Sequence, residues 1–303
     1  MDWLFKSMTE GVLYEWEQLL GDWFFLFSIA FLSIELIRYY VQKRLKWALV
    51  GDTVTNFVTQ AFFLGLSLIF LYVFNLSALS FFHQFALFDI AINWATVFVC
   101  VVLADLMYYW EHRFSHRVAI AWATHTVHHS SPHFNISVAY RFGPLDALWA
   151  VFFHIPLVVL GFNPFQVVLA EVIVLLYQTV LHTEVIGKLP RPIEAVMNTP
   201  SHHRVHHGRN DRYIDKNYAG MFILWDRMFG TFAEETEAVT FGITEPVNSI
   251  NPFVVFFHGF ARLWRDFWHT GKLTSRLVLL VRPPGWQPKA PKFDSIVRSS
   301  GNT

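Results

Sequence analysis

"VFVCVVLADLMYYWEHRFSH", residues 97–116, runs from an apolar stretch straight into two histidines four positions apart. The apolar part belongs to a longer run, roughly Asp89–Tyr109. That is enough to cross a ~30 Å hydrocarbon core, which takes about 20 helical residues. If one helix carries both parts, His112 and His116 project from one face at the end of a span, because i and i+4 are neighbours on a helix. This reading sets the fold class as all-α: a polytopic membrane protein whose anchor ends in histidines.

The rest of the chain supports the anchor. Leu19–Val41 and Thr53–Phe74 are also long enough to span. Leu145–Leu160 and Phe165–Leu181 are shorter and joined by "GFNP", which suits a hairpin that dips in and returns, or two tilted spans. Beyond Leu181 nothing is long enough, and Pro190, Pro192, Pro200 and Gly208 break a more polar region. The organisation expected is a three-span anchor over 1–110, a histidine-rich region over 111–250 with its hairpin at about 145–181, and an amphipathic C-terminal segment over 251–303. The tail from Arg282, with four prolines, is expected to be poorly ordered.

Composition agrees. The apolar fraction is 54% and the charged fraction 15%, against roughly 25% charged in soluble domains. Thirty-two Phe and 12 Trp are hard to hide in a water-soluble core of this size. Net charge is zero, so bulk charge gives no reason to expect nucleic acid. The single Cys100 excludes an intramolecular disulfide framework and a cysteine-rich zinc site, and reads as a small buried hydrophobe. The acidic start lacks the basic region and cleavage site of a signal peptide, so the first apolar stretch is expected to be a retained anchor.

Charge placement orients the anchor. Of 23 Lys and Arg only Lys6 precedes the first span, and residues 75–89 contain none, whereas Arg38, Lys43, Arg44 and Lys46 follow the first span and Arg113 and Arg117 the third. The positive-inside rule then places the N-terminus outside, and the histidine clusters and C-terminus in the cytoplasm.

Three clusters carry the chemistry. "HRFSH" supplies His112 and His116; "HTVHH" supplies His125, His128 and His129; "HRVHH" repeats that spacing with His203, His206 and His207. An i, i+4 pair of imidazoles on a helix can hold one metal ion between them. Eight rings exceed the shell of one ion, so two ions are expected. Imidazole suits Fe, Cu, Zn and Ni; iron is the first choice for a shell of neutral rings around an oxidising centre, and spacing alone leaves zinc open. His182, in "VLHTE" where the hairpin emerges, is a ninth expected ligand with Glu184 as the acceptor of its other N–H. Asp105 and Glu111 are the equivalent candidates for the first cluster and Asp226 for the third. His133 and His202 neighbour clusters without fitting a ligand spacing, and His83, His154, His258 and His269 are isolated.

The three boxes resemble those of the fatty acid hydroxylase/sterol desaturase superfamily of membrane di-iron enzymes. With "WATHTVHHSS", "LHTEVIGKLP", "NTPSHHRVHHGRN" and "IDKNYAGMFILWDRMFGTF", the similarity is greatest to its alkylglycerol monooxygenase subgroup and bacterial relatives, over roughly residues 35–250. The resemblance implies a four-helix-type transmembrane anchor and a cytoplasmic helical cap holding two irons. It implies metal roles for the eight box histidines, with His182 added. It also implies an O2-dependent monooxygenase acting on a C–H bond of a membrane lipid such as an ether lipid, acyl chain or sterol. Electrons are expected from outside, from a reductase, an electron-carrier protein or reduced pterin (tetrahydrobiopterin), since no G-x-G-x-x-G fingerprint is present. Sterol desaturation or demethylation and carotenoid hydroxylation are alternatives within the superfamily. A metal transporter is the alternative from another class, but its site belongs near mid-membrane rather than at span ends. A zinc hydrolase would need a glutamate base as in H-E-x-x-H, and no such motif occurs.

Overall fold

The computed structural model describes residues 9–67 and 72–288. Twelve α-helices and a 3-10 helix (Ile136–Tyr140) are found among them, and no strands: α1 (Glu10–Val41), α2 (Trp47–Leu66), α3 (Tyr72–His83), α4 (Trp94–Arg117), α5 (Ala119–His129), α6 (Asp146–Leu160), α7 (Pro164–Thr179), α8 (Arg191–Val196), α9 (Pro200–His206), α10 (Leu224–Phe229), α11 (Pro252–His269) and α12 (Leu273–Val281).

α4 is the spine. A capping box starts it: the Asn93 side chain accepts from Thr96 N, and the Asn93 N–H donates to Thr96 Oγ1, both at 3.1 Å. Its first half buries Val97, Cys100, Val101 and Ala104 against α6 and α7, and its last turns carry His112 and His116. Cys100 is fully buried, as a small core hydrophobe. α4 stops because Val118 turns extended (φ −124°, ψ 119°), so α5 sets off in a new direction and brings its own histidines back over the end of α4.

α6 and α7 both lie along α4. α6 ends on Gly161 in the left-handed region, and Asn163 with Pro164 starts α7, the N-cap and first-turn proline that a helix start favours. A Cβ at Gly161 would overlap the Phe88 carbonyl, so the hairpin tip sits tight against the chain before α4. Asn163 Nδ2 also donates to Glu10 Oε1 at 2.6 Å. The start of α1, the loop before α4 and the hairpin tip therefore share one end of the bundle. All three histidine clusters lie at the other.

α1 and α4 are long and apolar enough to cross a membrane. α1 buries only Leu13, Ser28, Leu32, Glu35 and Tyr39, and turns Trp23, Leu26, Ile34 and Ile37 outward. A helix that exposes its apolar side chains points to a membrane protein.

One expectation changes, and another stretch lies partly outside the described residues. The stretch Thr53–Phe74 falls on α2 and α3, with residues 68–71 outside the described residues. The inward face of α2 is polar, burying Asp52, Thr53, Thr55, Asn56 and Thr59, because it packs against a fully buried arginine rather than an apolar core. The tail expected to be poorly ordered from Arg282 is placed as far as Pro288, with Ala119 N donating to Arg282 O at 2.9 Å. The remainder of that tail lies outside the described residues.

α11 packs its Val255, Phe256 and Gly259 face on α5. Any Cβ at Gly259 would overlap the Ala123 carbonyl. Gly259→Val is therefore expected to destabilise the protein by about 1–3 kcal/mol through overpacking. Thermal unfolding in detergent checks this, and an unchanged melting temperature would show that α5 and α11 are not in such close contact.

Candidate metal centre

Nine histidines converge at the end of α4: His112 and His116 from α4, His125, His128 and His129 from α5, His182 just beyond α7, and His203, His206 and His207 from α9 and its C-cap. They sort into two groups. His112, His116, His125, His129 and His206 form one, and His128, His182, His203 and His207 the other, with ring nitrogens in each group within 4.8 Å of one another.

The sorting follows from the helical repeat. In H-x-x-H-H the i+4 ring lies about 40° to one side of the first ring and the i+3 ring about 60° to the other, so the two diverge. On α5 the i, i+4 pair His125 and His129 joins the group of five and His128 the group of four. On α9 the roles are exchanged: His203 and His207 join the four and His206 the five. Each H-x-x-H-H box thus straddles both groups. His182 completes the second group as His112 and His116 complete the first.

Backbone carbonyls fix the ring tautomers. Nδ1 of His112 lies 2.9 Å from Tyr218 O, that of His128 3.3 Å from Arg141 O, that of His182 2.9 Å from Gln178 O and that of His206 3.0 Å from Lys216 O. A carbonyl only accepts, so each Nδ1 carries the proton and each Nε2 a lone pair. Burial, reinforced by neighbouring rings, holds His128, His129, His203 and His207 well below the usual histidine pKa. Burial lowers His182 to about 4 and His206 to about 3. All six are neutral near pH 7, the form that ligates metal.

This produces an arrangement that protein atoms alone do not satisfy. His128 Nε2 and His182 Nε2 face each other at 3.2 Å, and both are lone pairs because both Nδ1 atoms carry the proton. His203 Nε2 lies 2.9 Å from His182 Nε2. In the other group the Nε2···Nε2 distances are 3.1 Å for His112–His125, 3.2 Å for His125–His129 and 3.1 Å for His129–His206. Two nitrogens on one ion at about 2.1 Å and a right angle are about 3 Å apart. His116 Nε2 and His207 Nε2 are buried without a partner among the described residues. The residues present fit two metal ions, one in each group. Neither group contains a carboxylate or thiolate, so the donor set is nitrogen only.

The carboxylates expected to steer these rings do something else. Glu184 accepts from Tyr39 OH at 2.9 Å and faces Arg44 at 3.5 Å; the N–H of His182 goes to Gln178 O, one helical turn back. Asp105 accepts from Met221 N, Phe222 N and Trp225 Nε1 rather than from a histidine. Asp226 accepts from Tyr218 N and Ala219 N at 2.8 Å, so it acts on His112, not the third cluster, through the backbone whose carbonyl His112 meets. Glu111 is buried on α4 and makes no hydrogen bond to a histidine among the described residues. The nearest carboxylate to a box ring is instead Asp146, 3.8 Å from His125 Nδ1. Glu184→Gln is accordingly expected to leave metal content at the wild-type level, measured by elemental analysis; a fall would return Glu184 to the metal site.

His202 stays out of both groups, with Nε2 3.0 Å from Glu194. His133 and the isolated His83, His154, His258 and His269 are outside them too. Sequence reasoning missed Arg141. It is buried at 1% exposure, paired with Asp52 at 2.9 Å, donates to Asn56 Oδ1 and Val127 O, and offers its own carbonyl to His128. A cavity of about 620 Å³ opens onto His116, His129, His206 and His207, and so onto both groups.

Residues 97–231 match the family model described as fatty acid hydroxylase. The chain is 38% identical over 272 residues to alkylglycerol monooxygenase of Homo sapiens, covering 88% of this chain and 60% of that protein. It is 43% identical over 208 residues to alkylglycerol monooxygenase of Danio rerio, covering 69% and 46%. The ornithine lipid hydroxylase OlsE of Rhizobium tropici is more distant, 29% identical over 46% of this chain and 43% of that protein. The chain therefore spans between two-fifths and three-fifths of these relatives' lengths. No solved structure matches it.

Proposed function

We propose, from the match of residues 97–231 to the fatty acid hydroxylase model, that the protein is an O2-dependent lipid monooxygenase with a histidine-bound pair of irons. The observation that carries the reading is the facing of the His128 and His182 lone pairs at 3.2 Å, an arrangement suited to a bound cation. The group of four and the group of five would each hold one ion. The net reaction is RH + O2 + 2e⁻ + 2H⁺ → ROH + H2O. Bound iron supplies the reduction of O2 and the oxidant for an unactivated C–H bond, chemistry that protein side chains lack.

The chain's own residues hold and shield the centre. The carbonyls of Tyr218, Arg141, Gln178 and Lys216 keep four rings in the ligating tautomer. Val127, Phe134 and Tyr218, almost wholly buried, help keep water from the rings. Electrons come from a partner reductase, an electron carrier or a reduced pterin. An ether lipid is the substrate that the alkylglycerol monooxygenases favour as a first candidate.

The architecture belongs to the same proposal: a three-span anchor over 1–110, the histidine-box region over 111–250 with its hairpin, and the C-terminal segment over 251–303. The anchor is of four-helix type beneath a cytoplasmic cap. The N-terminus, the loop before α4 and the hairpin tip face outside, and the histidines and C-terminus face the cytoplasm. A cysteine at the exposed Leu87, with Cys100 buried, is expected to react with an impermeant thiol reagent added to intact cells. Labelling only after lysis would place the histidines on the outer side.

The function itself is tested by incubating the ferrous-reconstituted, reduced protein with ¹⁸O2 and a membrane lipid extract. One ¹⁸O atom per product is expected. Desaturated product without label would move the reaction to the desaturase side of the superfamily.

A further inference from the structure

α11 sorts its residues by side. Val255, Phe256 and Gly259 pack inward, while Phe253, Phe257, Trp264 and Trp268 face away from the protein and are 48–65% exposed. At about 100° per residue these four fall within an arc of about 60°, so they form one stripe along the whole helix. α12 repeats the arrangement. Leu279 is buried, and Leu273, Leu277 and Val281, spaced i, i+4 and i+8, are 55–64% exposed.

An exposed apolar face of this length marks a contact with lipid or with another protein. Three observations favour lipid. The first is charge. Residues 267–293 contain Lys272, Arg276, Arg282, Lys289 and Lys292 and no Asp or Glu, in a chain whose net charge is zero. A basic segment with apolar helical stripes is complementary to an anionic lipid surface.

The second is the kind of aromatic. Trp264 and Trp268 meet edge to face with ring centroids 5.4 Å apart, and the Arg276 guanidinium lies 5.0 Å from the Trp268 ring. Such a pair suits headgroup depth, where the indole reaches the acyl boundary and the cation stays in water. Arg276 also joins the two stripes, because its Nε donates to Thr270 O at 2.8 Å in the bend between the helices.

The third is α2. It buries Asp52, Asn56 and Thr59 and turns Trp47, Val54 and Leu64 outward, the reverse of a helix that faces water. Only residues 42–46 separate it from α1, which is long and apolar enough to cross a membrane, so α2 starts where that span would leave the bilayer. Phe62 of α2 meets Phe253, the first member of the α11 stripe, with ring centroids 4.7 Å apart. The outward face of α2 and the stripe of α11 therefore adjoin.

We propose that α11 and α12 lie in the surface of the bilayer leaflet at the histidine end of the molecule, beside α2, and that Lys272 and Arg276 select anionic lipids there. Trp264 and Trp268 sit at headgroup depth, and lipid covers both stripes. α11 packs on α5, the helix that carries His125, His128 and His129, so this hairpin holds the metal centre against the leaflet.

Fluorescence quenching in nanodiscs reads the depth directly. Leu277→Cys and Phe257→Cys are each labelled with bimane in the full-length protein, whose native Cys100 is fully buried. The nanodiscs hold equal parts of phosphatidylcholine and phosphatidylglycerol. Asp211→Cys, at an exposed position away from both stripes, is the reference in water. With bromine on the acyl chains of both lipids, the two stripe labels should be quenched and the reference label should not. With only one lipid brominated, phosphatidylglycerol should quench the Leu277→Cys label more strongly, by an amount matching about fivefold local enrichment, the weight of one cation at a lipid surface. Lys272→Gln/Arg276→Gln should remove that preference and keep the quenching. Stripe labels as unquenched as the reference overturn the placement in the leaflet. A disulfide between Leu277→Cys chains in nanodiscs holding two copies, without quenching, gives the face to a second copy instead. Equal quenching by the two brominated lipids, or a preference that survives the double variant, overturns the selection of anionic lipid.

Discussion

His182→Ala is expected to take the purified protein from about two metal ions per chain to about one, and to abolish turnover. The group of four loses a quarter of its donors, leaving His128, His203 and His207, whereas the group of five is untouched. The loss is compounded because His182 Nε2 lies within 3.2 Å of two of the remaining rings and completes the ring of donors. Elemental analysis after anaerobic ferrous loading measures it. His112→Ala acts on the other group and should spare the second ion, so the two variants together assign each ion to its histidines. Wild-type metal content in His182→Ala would remove this residue from the centre and with it the closed second group.

The second large effect lies at Asp52. Its carboxylate holds the Arg141 guanidinium at 2.9 Å, and neither side chain is more than 4% exposed. Removing one partner of a buried pair strands the other charge, which costs about 3–5 kcal/mol. Asp52→Ala should therefore lower the melting temperature by roughly 10 °C, at about 2–4 °C per kcal/mol for a chain of this size class. Arg141 also donates to Val127 O and Ser130 Oγ at the end of α5 and accepts from His128 through its carbonyl, so the group of four should bind its ion more weakly. The double variant Asp52→Leu/Arg141→Met separates the two effects. It should regain most of the stability, since replacing both partners by apolar groups is often neutral, without regaining the ion. Full metal binding in that double variant would show that Arg141 acts on stability alone.

The histidine clusters were legible because a helix enforces their spacing. An i, i+4 pair on a helix must share a face, so the spacing in HRFSH, HTVHH and HRVHH by itself announces converging rings. The division of each H-x-x-H-H box between two groups was implicit in the same geometry, since His128 and His206 are the i+3 members. What holds the rings was not legible. The acceptors on His112, His128, His182 and His206 are main-chain carbonyls, which every residue type offers, so no letter marks them. Expecting carboxylates led to Glu184 and Asp105, which fix Tyr39 and the Met221–Trp225 turn instead. Asp52 and Arg141 lie 89 positions apart, each among other polar and charged residues, so nothing in the sequence pairs them.

The central claim, that two inequivalent all-nitrogen sites share this one end of the bundle, is tested most directly by Mössbauer spectroscopy of the wild-type protein loaded with ⁵⁷Fe(II). Two ferrous quadrupole doublets of equal area, at a total of about two irons per chain, are the result expected for a five-histidine and a four-histidine site. A single doublet at one iron per chain would contradict it.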